Sequence, residues 1–322
     1  MNIPNIKTHS LRTSVLFIVF NRPDSTKKVF EEIRKAKPNC LYVAADGPKY
    51  SDLKEIELIN KVRKIATSVD WPCEVKTLFR ENNLGCKEAV SSAISWFFKH
   101  EEQGIILEDD CLPHQDFFSF CEKMLNHYHD NENIFMITGN NFQKGVRRGN
   151  ASYYFSNYTF IWGWATWRRA WQHYDGSINF WPQWKHTSDW TNKFPDKIER
   201  NYWAKNFDAV FFEKINTWDY PWTACIWQQG GLTITPNVNL VSNIGFGESA
   251  TFTTLKNDKR ANVSVEELKN IIHPANIIRD DKADKHSFNY FFGGRNLRFP
   301  LSLLNLPKKI ILFLLKKLNF IK

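Results

Sequence analysis

Three carboxylates stand side by side at Glu108-Asp109-Asp110, directly after the apolar run Gly104 to Leu107 and before Cys111-Leu112-Pro113. Adjacent carboxylates repel one another, and a fold tolerates them where a cation or hydrogen-bond donors offset the repulsion. Hard oxygen ligands on one side of a loop suit Mg²⁺ or Mn²⁺, with waters and substrate phosphates completing the shell. An acidic triplet can equally be a solvated loop or a helix start, where the dipole stabilises acids, so its neighbours decide. Asn21-Arg22 follows the apolar run Val15 to Phe20, Asp46 follows Leu41 to Ala45, and Arg80 follows Val75 to Phe79. Four successive apolar runs therefore close on polar or charged residues. Further along, Asp219 lies two residues before Pro221. Proline suits a first helical turn, which places Asp219 at the N-cap of a helix.

The elements that must position these groups alternate. Each apolar run reads as a buried strand, and the stretches between them carry helical stripes. After a turn at Asn21-Arg22-Pro23 a helix is expected to open at Asp24 or Ser25, with Val29, Phe30 and Ile33 on one face. Ile56, Ile59, Val62 and Ile65 mark a second helix, and Val90, Ala93, Ile94 and Phe97 a third. Phe117, Phe118, Cys121, Met124, Leu125 and Tyr128 give a fourth, and Ile134 to Thr138 a fifth strand. Strands and helices in alternation with short connections predict an α/β fold with a mostly parallel sheet and helices on both faces. Such sheets bind ligands at the carboxyl ends of their strands, where the charged residues fall.

Composition removes other classes. At 43% hydrophobic and 24% charged, the 322-residue chain is neither disordered nor fibrous. It has no run of 18 apolar residues to span a bilayer and no apolar signal core at its start, so residence in the cytoplasm is expected. Six cysteines without a CxxC pair argue against a zinc ribbon or a redox dithiol. Of the net charge of +9, six basic residues unopposed by any acid fall in 298–322. A nucleic-acid-binding body is therefore a poor reading. Eleven of the thirteen Trp lie between Trp162 and Trp227, a density that suggests indole platforms for sugar rings as well as core. His127 and His129, two apart on a helix, make poor ligand geometry, and Gly245-Phe-Gly247-Glu-Ser-Ala250 lies far from the chain start and runs into a Thr-rich stretch rather than the helix of a dinucleotide site.

The ordered set VFNRP (Val19 to Pro23), AADGP (Ala44 to Pro48), FRENNLGCKEA (Phe79 to Ala89) and ILEDDCLP (Ile106 to Pro113) resembles the nucleotide-sugar half of GT-A glycosyltransferases. It is most similar to the bacterial family-two-like and N-acetylglucosaminyltransferase I branches. NTWDYPW (Asn216 to Trp222) and the segment from Pro236 to Thr254 resemble the acceptor half. The resemblance implies an inverting transferase that moves a sugar, most simply from a UDP-sugar, to a glycan or lipid-linked acceptor in bacterial surface polysaccharide synthesis. It implies donor contacts from Asn21, Arg22, Asp46, Arg80, Lys87 and Asp109, and Mn²⁺ or Mg²⁺ on Asp110. Asp219 would be the general base, and Asn140, Asn141, Trp162, Trp164 and Trp167 would face the acceptor. The chain departs from the pattern at Phe252, where a histidine is expected to join the metal shell; His273 is a distant substitute.

This reading divides the chain into a GT-A domain over 12–275, with halves 12–140 and 141–275, and a C-terminal extension over 276–322. Within the extension, PKKIILFLLKKLNFIK (Pro307 to Lys322) is expected to form a basic amphipathic helix too short and too charged to span a membrane. It would lie on the anionic inner face of the cell membrane. Two other readings compete: a non-catalytic Trp-rich carbohydrate-binding protein, and a sugar-nucleotide pyrophosphorylase. The latter wants a Gly-rich loop after the first strand, which FNRPDST does not provide.

Overall fold

The computed structural model describes residues 10–49, 52–246 and 261–302. The first half alternates as the apolar pattern requires: β1 (Val15–Val19), α1 (Pro23–Ala36), β2 (Cys40–Ala45), α2 (Leu53–Ala66), β3 (Glu74–Phe79), α3 (Gly85–His100) and β4 (Gln103–Glu108). Helix α1 opens earlier than expected. Pro23 is its first residue, where the missing N–H costs no hydrogen bond, and Arg22 is the residue before it. Then follow β5 (Cys111–Pro113), α4 (Gln115–His127), β6 (Ile134–Thr138), β7 (Tyr153–Ser156) and β8 (Trp164–Trp167). Short helices α5 (Arg168–Trp171), α6 (Trp181–Trp184) and α7 (Ser188–Lys193) lead to α8 (Lys197–Phe211) and α9 (Asp219–Gln228). Strands β9 (Leu232–Pro236) and β10 (Val241–Asn243) precede α10 (Asp281–Tyr290).

Eight strands form one sheet in the order β3-β2-β1-β4-β8-β6-β9-β7. The block β3-β2-β1-β4 is wholly parallel, with Val15 in register with both Leu41 and Ile105. β6 and β9 run the same way, while β8 and β7 run against their neighbours. The sheet is thus mostly parallel, and helices cover both faces. α1, α2 and α4 bury Val29, Ile33, Val62 and Phe117 on one side, and α3, α8 and α9 bury Ile94, Phe97, Phe207 and Ile226 on the other.

Strand β8 corrects the reading of Trp164 and Trp167 as acceptor-facing residues. It lies between β4 and β6, and alternate side chains of a strand point to opposite faces. Trp164 is driven into the α9 side, stacked on Trp218 at 5.7 Å, and Trp167 into the α4 side, where its Nε1 donates to Leu125 O at 3.1 Å. Both are buried and neither can meet an acceptor.

The segment 276–302 packs into the same core as the unit before it. Asp280 N–H donates to Phe155 O at 2.8 Å, and Phe288 is fully buried. Asp284 is buried too, accepting from Ser156 Oγ at 2.5 Å and Asn157 N–H at 3.1 Å. Among the described residues no helix is long and apolar enough to cross a membrane. The tail expected to lie on a membrane falls outside the described residues, as does Phe252.

Candidate active site

A cavity of about 540 Å³ opens at the carboxyl ends of β1 and β4. Arg22, just past β1, and Glu108 and Asp110, at the end of β4, line one end of it. The Arg22 guanidinium reaches across the two strand ends. Its Nη2 lies 2.5 Å from Asp109 Oδ1 and its Nη1 2.8 Å from Asp110 Oδ2. Asp109 is almost wholly buried and also accepts Phe20 N–H at 3.1 Å. The antiparallel pair β5 and β10 closes over this corner. Ile244 N–H donates to Asp110 O at 2.9 Å, and Asn243 from β10 lines the cavity. Gly245 sits so close to the Asp110 carboxylate that a Cβ there would collide with it.

One guanidinium cannot neutralise three carboxylates. Burial, and next the charge of Asp110, push the Glu108 carboxyl above its ordinary range; burial also raises Asp109, against the pull of Arg22. Such crowding would favour a further cation. Among the described residues no three His, Cys, Asp or Glu side chains form a ready ligand shell. Among the described residues a closed, protein-only site of the zinc type therefore does not fit. A Mg²⁺-type ion does, because it binds through one or two carboxylates and keeps its remaining positions for water and phosphate oxygens. Asp110 and Glu108 are the residues that would hold it.

Asp219 lines the same cavity from the α9 side, and its charge reaches both Glu108 and the Cys86 thiol. It is not an N-cap. Trp218 holds that position, and Asp219 is the first residue of the helix. Its carboxylate accepts the Thr217 hydroxyl, and Thr223 Oγ1 donates to its backbone carbonyl at 3.0 Å. Burial raises its pKa, with the Thr217 bond and then the Tyr220 N–H opposing. A half-buried carboxylate held by its own helix turn and directed at a cavity has the makings of a general base.

Of the residues expected at the site, Arg22, Asp110, Asp219 and the half-buried Trp162 line this cavity, and Asp109 joins them through Arg22. Other expected contacts have structural duties. Asp46 accepts Leu84 and Gly85 N–H at 3.0 to 3.1 Å, fixing the start of α3 to the end of β2. Arg80 donates to Ser92 Oγ at 2.8 Å, and Asn21 Nδ2 to Glu55 Oε1 at 3.2 Å. Lys87 is half-buried on α3 and outside the cavity lining. Asn140 lines the cavity but is buried and spent on Val241 O and Trp162 N–H. Asn141 ties Pro236 O at 2.6 Å. His273 stacks on His127 at 4.0 Å and lines none of this cavity.

The remaining wall was missed. Phe142, Phe160, Tyr202, Trp203, Phe291 and Phe292 make its far end aromatic, with Phe291 4.4 Å from Phe142 and Phe292 4.9 Å from Trp203. The Phe291-Phe292 pair, apolar just beyond a polar helix, was the available signal.

No protein-family model matches the chain, and no curated protein matches it. Two solved structures that resemble it are UDP-glucose pyrophosphorylases. One, complexed with UDP-glucose, has a TM-score of 0.25 and 13% identity over 45% of this chain and 62% of that chain, so the match spans less than two thirds of its length. The other, an apo form, has a TM-score of 0.33 and 9% identity, covering 70% of this chain and 90% of that chain. Likeness this slight carries no argument about the reaction.

Proposed function

We propose that this protein is an inverting glycosyltransferase that takes a sugar from a nucleoside diphosphate donor, a UDP-sugar most simply, and passes it to a glycan or lipid-linked acceptor. The observation that carries the reading is the placement of Asp219 in the same cavity as the Arg22–Asp110 corner. One end is fit to hold a diphosphate with its cation, and the other offers a separate carboxylate base. A bound Mg²⁺ or Mn²⁺ would offset charge developing on the departing diphosphate. Asp219 would take the proton from the acceptor hydroxyl as the oxygen attacks the anomeric carbon. Arg22 would hold Asp109 and Asp110 in place and add positive charge beside the leaving group.

The carbohydrate-binding alternative loses its main support with the burial of Trp164, Trp167, Trp181, Trp218, Trp222 and Trp227. The pyrophosphorylase alternative is opposed by the loop after β1, where only Phe20, Asn21 and Arg22 separate the strand from α1, without a glycine. Membrane attachment by 307–322 remains part of the proposal. Liposome flotation of full-length protein against a form cut after Arg298 tests it, and equal flotation of the two would remove it.

The deciding experiment incubates the protein with a panel of nucleotide sugars and Mg²⁺ or Mn²⁺, follows release of nucleoside diphosphate, and reads the anomeric configuration of the product by NMR. Slow donor hydrolysis with inversion is expected. UTP formation on adding pyrophosphate would instead make the protein a pyrophosphorylase, and a retained configuration would remove Asp219 as base.

A further inference from the structure

A second cleft, of about 530 Å³, lies between the last turn of α4 and the segment 269–273, and shares no residue with the first. Its walls are basic. Lys123 and His127 come from positions four apart on α4, which share a helix face. Lys269 and His273 stand opposite, with Asn126 and Asn270 between. The imidazoles of His127 and His273 stack nearly parallel, 13° between planes and 4.0 Å between centroids.

The cleft is built rather than incidental. His273 Nδ1 is 2.7 Å from the Tyr153 hydroxyl, which is 2.6 Å from that of Tyr128, and both tyrosines are buried. These contacts fix the ring through its Nδ1. The opposing wall is tied to β7: Ser152 Oγ donates to Asn270 O and accepts Ile272 N–H, each at 2.9 Å, and Ser152 N–H donates to Ile272 O at 2.9 Å. Two acids reach Lys269: Glu267, paired with it at 2.5 Å with both exposed to solvent, where such pairs are weak, and more distantly Asp116 on α4, whose Oδ2 accepts Leu268 N–H at 2.7 Å.

We infer that this cleft binds an oxyanion of the phosphate or sulfate class, held by Lys123 and Lys269 and by the two stacked imidazoles. Parallel cationic imidazoles at this spacing repel, and an anion bridging them removes the repulsion. Without one, burial and then the neighbouring His127 hold His273 below its ordinary pKa. The anion can be a free phosphorylated or sulfated solute or the headgroup of a phospholipid.

Full-length protein is titrated with sodium sulfate, whose charge does not change across the histidine range, with sodium chloride at matched ionic strength as control. The Hε1 signals of His127 and His273, assigned with His127→Asn and His273→Asn, report their titration midpoints. Both midpoints should rise with sulfate and not with chloride. Removing two charge-assisted contacts in the Lys123→Ala/Lys269→Ala variant should weaken sulfate binding at least about tenfold. The remaining seven histidines serve as the check on folding. Flotation with phosphatidic acid vesicles then separates the sources: binding that the double variant loses assigns a headgroup, and sulfate binding without it assigns a free solute. No sulfate-specific rise together with vesicle binding unchanged in the variant would overturn the inference.

Discussion

Arg22 and Asp109 are locked together across the ends of two neighbouring parallel strands, Nη2 to Oδ1 at 2.5 Å, although 87 residues separate them in sequence. The pair is what lets three consecutive carboxylates fold at one strand end. Removing the cation strands Asp109, which is 2% exposed, without its counter-charge. Arg22→Met should therefore cost about 3 kcal/mol in urea unfolding, the low end for a broken buried pair. Adding Asp109→Asn should recover part of that loss. Additive losses in the double variant would mean that the two side chains are not energetically coupled.

Asp110 shares the guanidinium but also lines the cavity. Asp110→Asn keeps the shape and removes the charge that would attract a metal–diphosphate complex. Turnover should fall to a small fraction of wild type and donor affinity in Mg²⁺ should drop. Thermal stability should change far less than in Arg22→Met. Wild-type turnover in this variant would take the metal away from Asp110.

General bases contribute about 10²- to 10⁴-fold, and Asp219→Asn should lose turnover by that order while donor binding persists. Because burial raises the Asp219 pKa, the acid limb of kcat/KM should lie above the ordinary carboxylate range. Activity should climb as pH rises through it, since the base works deprotonated. The asparagine variant should lack that limb, and a limb that survives belongs to another group.

Asp284, a buried residue of α10, has its carboxyl raised to about 7, mainly by desolvation, with the Ser156 and Asn157 hydrogen bonds opposing. A carboxyl raised on folding binds more protons in the native than in the unfolded chain over the interval between its two pKa values. Stability should then fall as pH rises from about 4 to about 7, and level off above. Asp284→Asn should flatten that slope in melting temperatures measured across the interval. An unchanged slope would assign it to other groups.

Much of this was legible in the chain before any coordinates. The run from Val15 to Thr138 announces its strands and helices because buried parallel strands are continuous apolar runs and their covering helices are striped. Arg22, Asp110 and Asp219 were legible for a related reason: charge at a strand end or helix start stands out against an apolar background. Trp164 and Trp167 were not, because tryptophans in a central strand look, by type alone, like those of an aromatic surface. Asn140 and Asn141 misled in the opposite sense. A polar side chain that satisfies buried backbone groups is indistinguishable, by type alone, from one awaiting a ligand. Asp46 belongs with them, a loop carboxylate whose partners are the backbone amides of a helix start remote in sequence.

The insertion of β8 between β4 and β6 also governs how the molecule is made. Until residues 164–167 leave the ribosome, the outer edge of β4 is bare, and β6 has no route to the parallel block. An exposed apolar strand edge is a template for wrong pairing, and a sheet that waits for a distant strand folds late. The nascent amino-terminal half therefore passes through a stage with an open seam at Gln103–Glu108, the strand that leads into the Glu108-Asp109-Asp110 triplet. Chaperone capture and off-pathway aggregation should both concentrate on that seam.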